Sequence, residues 1–192
     1  MKKKNFTILV CLVINVIFSQ ANKQKSTLIF KNGRTLNCFA RISGTNIRYV
    51  EKNIRDTEIV VNYETLSGIK IYMNDNLIEL YYKREVSKSV PKLMEKAITG
   101  KINLYRIQNV YETNIGFNSN SNYFSGKSSS TAYFLESKTN TDEVIRLAEK
   151  FEENAKNYFS DCKLLTDQIG NDNFRKKDLF KMVLFYNENC GK

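Results

Sequence analysis

The chain of 192 residues contains no histidine and no tryptophan, and the lack of histidine restricts the chemistry open to it. Histidine is the usual base for a serine or cysteine nucleophile and the commonest metal ligand in proteins. The absence of this base and ligand therefore argues against most hydrolase and zinc-enzyme mechanisms for this chain. The sequence predicts no catalytic residue, no metal site and no cofactor, and it favours a non-catalytic role over an enzymatic one.

Cys162 and Cys190 are the strongest candidates for chemistry that remain. Cys162 lies near the start of one predicted short helix and Cys190 just past the end of the next, so antiparallel packing of these helices brings the two thiols together. An exported chain folds where thiols oxidise. We therefore predict a disulfide that closes a loop of 28 residues, worth about 3.5 kcal/mol in the chain-entropy model. A redox role is the alternative, but the sequence has no Cys-x-x-Cys motif.

Cys38 lies in an alternating segment in which Leu36, Cys38, Ala40 and Ile42 share one face. Inward-facing cysteine behaves as a small apolar residue. We predict that Cys38 is buried, and an intermolecular disulfide is the alternative.

The first residues predict export. Lys2–Lys4 is a positive region, Phe6–Phe18 is apolar, and residues 19–21 place small side chains at the cleavage positions, so residues 1–21 are predicted to be a secretory signal peptide. At about 1.5 Å per residue the apolar stretch spans roughly 20 Å, which is short of a bilayer core of about 30 Å. The mature chain is predicted to have no transmembrane segment and to be periplasmic or secreted.

The formal net charge is +10, and the basic bias lies in the first two thirds of the chain. Such a charge predicts an anionic partner, for example lipopolysaccharide, phospholipid head groups or an acidic polymer. Because the lysines are scattered along the sequence, an ordinary solvated surface is the alternative.

Residues 22–86 predict a β-rich domain that forms a small antiparallel sheet or barrel. Short alternating segments are separated there by turn residues. Asn32-Gly33 has the residues of a type I′ hairpin turn. Ile59, Val61 and Tyr63 alternate and are predicted to face inward.

Residues 87–137 predict a short helix followed by a long β-hairpin. Ser89 is the expected helix cap, Pro91 lies in the first turn and Gly100 ends the helix. The hairpin tip at 113–130 is rich in Asn, Ser and Gly and is predicted to be flexible, because it cannot bury enough apolar surface to offset the cost of ordering.

Residues 138–192 predict a disulfide-stapled helical tail of three helices. The first is capped by Thr141 and opens with Asp142, whose charge suits the helix dipole. The second covers about Asp161–Ile169. The third has an apolar face of Leu179, Met182, Val183 and Tyr186. The predicted fold class is thus α+β.

Two groups of side chains are candidate partner-binding residues. Exposed aromatic rings beside a flexible tip could bind glycans or proteins, although packing within the hairpin is an alternative. The aromatic residues that border the tip are Phe117, Tyr123, Phe124, Tyr133 and Phe134, of which Phe117, Tyr123 and Phe124 are the predicted partner-binding residues. Arg175, Lys176 and Lys177 open the third helix, where positive charge opposes the helix dipole. This misfit indicates a docking patch, with an ordinary charged surface as the alternative.

Two further motifs carry less weight. Gly126-Lys127-Ser128 is like the end of a phosphate-binding loop, but Ser121 stands where the first glycine is required and no helix follows. We therefore predict no nucleotide ligand. Glu149, Glu152 and Glu153 recur at helical spacing opposite the apolar residues, which is typical of a solvated face.

Several segments resemble exported proteins of Bacteroidota-type bacteria. Phe30–Leu36 is similar to the opening of many of these proteins, and the tail carries their YFxDC motif at Tyr158–Cys162 and their YNxxC motif at Tyr186–Cys190. The resemblance implies an exported protein with an SH3-like or Sm-like β N-terminal part and a helical tail. It implies no particular activity.

These features together predict an exported, non-catalytic binding or accessory module of the cell envelope, whose partner is an envelope protein or glycan. Two alternatives stay open. A carboxylate-based hydrolase of envelope polymers requires two carboxyls facing each other across a cleft, one with a raised pKa. A small barrel that binds an anionic polymer or nucleic acid requires Lys and Arg side chains gathered on one face.

Overall fold

The structure is a computed structural model, and it describes residues 23–53, 56–73, 76–115, 124–170 and 174–190. The predicted signal peptide lies outside these residues. The described chain is mixed α+β, as predicted, but it contains a ten-stranded sheet and few helices. The prediction of a small sheet was therefore wrong.

The described strands are β1 (Gln24–Phe30), β2 (Thr35–Ser43), β3 (Asn46–Val50), β4 (Ile59–Val61), β5 (Leu66–Met73), β6 (Asn76–Glu85), β7 (Lys92–Ile98), β8 (Leu104–Ile115), β9 (Phe124–Glu136) and β10 (Glu143–Ile145). The described helices are α1 (Phe151–Tyr158), α2 (Lys163–Thr166) and α3 (Leu179–Asn189), with a 3₁₀ turn at Lys176–Asp178. The strand order is β10-β9-β8-β7-β6-β5-β1-β2-β3-β4, and β10 also pairs with β6. The chain divides into two compact units, one ending at Tyr82 and one beginning at Lys83.

The first unit is β-rich, with β1 to β5 in the antiparallel order β5-β1-β2-β3-β4. Its fully buried core residues include Leu28, Ala40, Ile47, Leu66 and Ile69. Cys38 is buried as predicted, but Ile42 and Ile59 are 42% and 44% exposed. Ile42 lies near the end of its strand, and Ile59 lies on β4, which among the described strands pairs only with β3. The alternation of apolar residues along the sequence therefore predicted more buried residues than the first unit contains.

The turn between β1 and β2 lies at the predicted residues but is not of type I′. A type I′ turn requires a positive φ at both central residues. Gly33 has a φ of 83°, whereas Asn32 is not in the positive region. The loop is wider and is closed by the Phe30 amide, which donates to the Arg34 carbonyl at 2.9 Å.

The helix predicted before Gly100 is in fact strand β7. Met94 and Ile98 are buried, and their spacing of four residues suits one face of a helix. Regular alternation along a strand also places residues four apart on one face, so this spacing does not distinguish a helix from a strand. The pairing of β7 with β8 shifts register between Lys96 and Ile98. Glu95 and Arg106, which are paired across the strands, add a two-point ion pair at 2.9 and 2.6 Å. Strand pairing therefore decided the conformation of this segment.

The predicted long hairpin is present and is longer than expected. β8 and β9 pair in unbroken register from Leu104 with Leu135 to Ile115 with Phe124. Residues 113–115 and 124–130, which were assigned to the flexible tip, are therefore strand. The remainder of the predicted tip, 116–123, lies outside the described residues.

The tail differs from the prediction at its start. The segment after Thr141 is strand β10, which pairs with β9 and, in parallel, with β6. Val144 of this strand is fully buried. The first helix begins only at Phe151. The second helix, α2, is shorter than predicted. Helix α3 agrees with the prediction, and its four predicted inward residues are all buried.

Candidate functional site

A concave groove in the second unit is formed by three separate parts of the chain. β9 contributes Tyr133, the end of β10 is followed by Arg146, and the 3₁₀ turn contributes Lys176 and Lys177. Leu147 and Leu179 form its apolar base, and the cavity volume is about 430 Å³. We call it the Lys176 groove. It contains two of the three basic residues that the sequence predicted as a docking patch.

The charges of the Lys176 groove all have the same sign, since no acidic side chain lines it among the described residues. A hydrogen bond of 2.8 Å from the Lys176 ammonium group to the Ala148 carbonyl orients this side chain. An ammonium group has three donors, so two remain for a ligand. The guanidinium of Arg146 lies 6.0 Å from the centre of the Phe134 ring. The groove therefore holds three cations against an apolar base.

Tyr133 supplies the aromatic surface of the groove. Its ring meets Phe180 edge to face, with 6.4 Å between the ring centres. This contact restricts the ring, so less side-chain freedom is lost when its exposed part binds a ligand. The groove thus combines cations with a restricted aromatic ring.

A second, more open pocket shares Lys176 with the groove. We call it the Lys150 pocket. Its charged lining residues are Lys150, Glu152, Glu153, Lys156, Arg175 and Lys176, and its volume is about 960 Å³. Glu153 is 3.9 Å from Lys150. Among the described lining residues, basic side chains therefore outnumber acidic ones, and the described positive surface extends beyond the groove.

The sequence misfit at Arg175, Lys176 and Lys177 has a local explanation in the structure. Helix α3 itself begins at Leu179, so these residues precede it rather than form its first turn. The Arg175 amide donates to the Asp178 carboxylate at 3.1 Å. Asp178 therefore supplies the negative charge expected at a helix N-terminus.

The predicted cysteine pair is present, with Cys162 and Cys190 at disulfide distance and their Cα atoms 5.6 Å apart. Cys38 is buried and unpaired within the described chain. Burial raises the pKa of its thiol to about 11, and a weaker backbone hydrogen bond acts in the opposite direction. Since thiolate is the reactive form, Cys38 is poorly suited to act as a nucleophile.

The two tail motifs hold the second unit together rather than line the groove. The Tyr158 hydroxyl donates to the Glu136 carbonyl at 2.6 Å, and Phe159 is fully buried. The Asn187 amide exchanges two hydrogen bonds of 3.0 Å with the backbone of Ile102. These three side chains of the tail motifs thus act in packing and hydrogen bonding within the second unit.

The predicted aromatic candidates are placed only in part. Phe117 and Tyr123 lie outside the described residues. Phe124 is the first residue of β9, where it pairs with Ile115. The glutamates at 149, 152 and 153 are exposed, as predicted.

The carboxylates of the described chain offer no clear acid and base pair. Glu136 accepts hydrogen bonds from Asn103 at 2.7 Å and Tyr105 at 3.0 Å, and Lys83 lies 3.4 Å away. Glu58 and Asp161 have lowered pKa values, whereas a catalytic acid requires a raised one. These features describe structural ion pairs.

Comparisons with known proteins add no assignment: no protein-family model matches the sequence, and no curated protein or solved structure is significantly similar to it. In the part of the chain that the structure describes, no helix has the length and apolar character to cross a membrane. The same residues contain no group of three or more potential metal ligands.

Proposed function

We propose that the protein is exported and acts in the cell envelope as a non-catalytic binding module, in which the Lys176 groove holds an acidic glycan. The observation that carries the proposal is the grouping of Arg146, Lys176 and Lys177 around one cavity that no described acidic side chain lines. Like charges held together repel one another, and an anionic ligand relieves this repulsion.

The concave shape favours a thin polymer over a flat protein surface. A glycan chain could lie in the groove with its acidic groups on the cations and one sugar ring against Tyr133. The glycan is confined to the groove, whereas a broad membrane surface would also cover the neighbouring Lys150 pocket. Glu152 and Glu153 in that pocket disfavour a uniformly anionic membrane surface.

The export part of the proposal rests on residues 1–21 and agrees with the cysteine pair, since structural disulfides persist in oxidising compartments. Nucleic acid is a weaker alternative, because the described lining of the groove offers a single aromatic ring rather than a row of stacking surfaces. An envelope protein with an acidic loop is the other partner that the groove could accept.

The direct test is binding of labelled polygalacturonate, with uncharged dextran as the comparison polymer. The groove variant is Arg146→Gln/Lys176→Gln/Lys177→Gln. The control variant is Lys31→Gln/Lys52→Gln/Lys88→Gln, which removes the same charge at exposed positions outside both pockets. We expect affinity for polygalacturonate to fall at least about tenfold in the groove variant and to weaken as salt rises. Equal loss in both variants, or equal binding of dextran, contradicts the proposal.

A further inference from the structure

A third, separate pocket lies in the first unit, on the face where β1 runs between β2 and β5. Its aromatic lining residues are Phe39 and Tyr72, and the other lining residues are Lys25, Ser26, Thr27, Asn37, Cys38 and Glu51. Its volume of about 510 Å³ falls within the range of small-molecule sites, about 300–1,000 Å³. We call it the Phe39 pocket.

The strand register accounts for the position of both aromatic rings. Lys25 of β1 is directly opposite Phe39 of β2, and its neighbour Ser26 is opposite Ile71 of β5. Because the strands are antiparallel, Tyr72, the residue after Ile71 on β5, lies beside Lys25. Tyr72 is 47% exposed, so a large aromatic surface is left at the pocket.

The polar groups of the pocket are suited to hydroxyl groups rather than to an ion. Lys25 and Glu51 contribute one charge of each sign, so the two charges balance. The Thr27 hydroxyl donates to the Asn37 side-chain oxygen at 2.8 Å. That bond leaves the Asn37 amide nitrogen able to donate and the Thr27 oxygen able to accept.

We propose that the Phe39 pocket binds one ring of a neutral saccharide. A pyranose ring has an apolar C–H face, which matches the aromatic walls, and an edge of hydroxyls, which matches Asn37, Thr27 and Glu51. A lipid chain would leave the polar groups without partners, and an anion would meet the Glu51 carboxylate. The site differs in charge and in ligand from the Lys176 groove.

The test is an NMR titration of the ¹⁵N-labelled protein with two neutral probes, maltoheptaose and the tetramer of N-acetylglucosamine. We expect one of them to give saturable shifts at the amides of Lys25, Asn37 and Phe39. Tyr72→Ala should weaken binding about tenfold, and Tyr72→Phe should retain it. Leu77→Ala is the matched control, because Leu77 is opposite Tyr72 on β6 and 49% exposed but does not line the pocket.

Several results would overturn this assignment. These are the absence of saturable shifts with both saccharides, equal weakening in the Leu77 and Tyr72→Ala variants, or shifts at the same amides only with a tyrosine-containing tripeptide. The last result would identify a partner's aromatic side chain as the occupant. The groove variant changes none of the residues that line the Phe39 pocket. A negative result with the neutral saccharides therefore does not affect the interpretation of the polygalacturonate experiment.

Discussion

The hydroxyl of Tyr186 donates to the carboxylate of Asp161 at 2.6 Å. This bond joins helix α3 to the residue before Cys162, so it lies close to the cysteine pair in the fold. Lys138 completes the cluster with a 3.0 Å ion pair to Asp161. Burial and the Asp161 hydrogen bond raise the pKa of Tyr186 to about 12. Burial alone would raise the pKa of Asp161, but the Tyr186 and Lys138 contacts outweigh it and lower that pKa.

Removal of this hydroxyl should destabilise the tail. Tyr186→Phe keeps the buried ring and deletes the bond, so we expect the free energy of unfolding to fall by about 1 kcal/mol, less than for a fully buried bond to a charged group. Urea unfolding followed by circular dichroism measures the change. Tyr72→Phe, whose hydroxyl is on an exposed side chain, should leave stability unchanged. A similar loss in both variants would contradict the assigned role of Asp161.

Reduction of the cysteine pair should lower stability by about 3.5 kcal/mol, because the cross-link restricts a loop of 28 residues in the unfolded chain. Guanidinium unfolding with and without dithiothreitol measures this difference. Cys162→Ser/Cys190→Ser should match the reduced wild type and show no further response to reductant. Identical curves for oxidised and reduced wild type would show that the pair is not a disulfide.

Gly100 and Asn187 should be energetically coupled. A Cβ atom added at Gly100 would run into the Asn187 amide, which is fixed by its two bonds to Ile102. We expect Gly100→Ala to cost about 1–3 kcal/mol. In an Asn187→Ala background the same change should cost much less, since the obstructing amide is gone. Additive effects in this double-mutant cycle, measured by urea unfolding, would contradict the contact.

The first unit should lose stability in acid through Glu58. Hydrogen bonds from Arg41 lower the pKa of Glu58 from 4.5 to about 2, with further help from Lys23 and against the opposing effect of burial. A carboxyl with a depressed folded-state pKa stabilises above its unfolded value, and this contribution is lost as pH falls through the folded value. We therefore expect a loss between about pH 4.5 and pH 2.

Glu58→Gln should flatten this acid-dependent loss, and Glu64→Gln is the control because Glu64 is exposed and forms no ion pair within the described residues. Thermal unfolding at pH 2.5, 3.5, 4.5 and 6 makes the comparison. An acid profile of Glu58→Gln that follows the wild type would remove Glu58 as the cause.

Local signals were sufficient for part of the fold. The cysteine pair followed from two helix ends, and α3 followed from the spacing of Leu179, Met182, Val183 and Tyr186. The segment at Met94 and Ile98 is strand rather than the predicted helix, because a spacing of four residues fits one face of a helix and one face of a strand alike. The strand β10 was missed because its pairing with β6 and β9 is not local in the sequence.

The candidate groove could be predicted only in part for the same reason. Lys176 and Lys177 stand out as a basic run, but Arg146 and Tyr133 join them through the fold of β9 and β10. The basic bias along the chain lies in its first two thirds, whereas the three cations of the groove lie in its last third. Charge counted along a sequence does not show which charges share a surface.

The most direct measurement of the central claim is fractionation of cells that produce the protein in a Gram-negative host. We expect the recovered chain to begin at Asn22, to contain the oxidised cysteine pair and to sediment with the envelope. The Arg146→Gln/Lys176→Gln/Lys177→Gln variant should be processed equally but should move to the soluble exported fraction. A wild-type chain that keeps Met1 and remains in the cytosol with reduced cysteines would contradict the account.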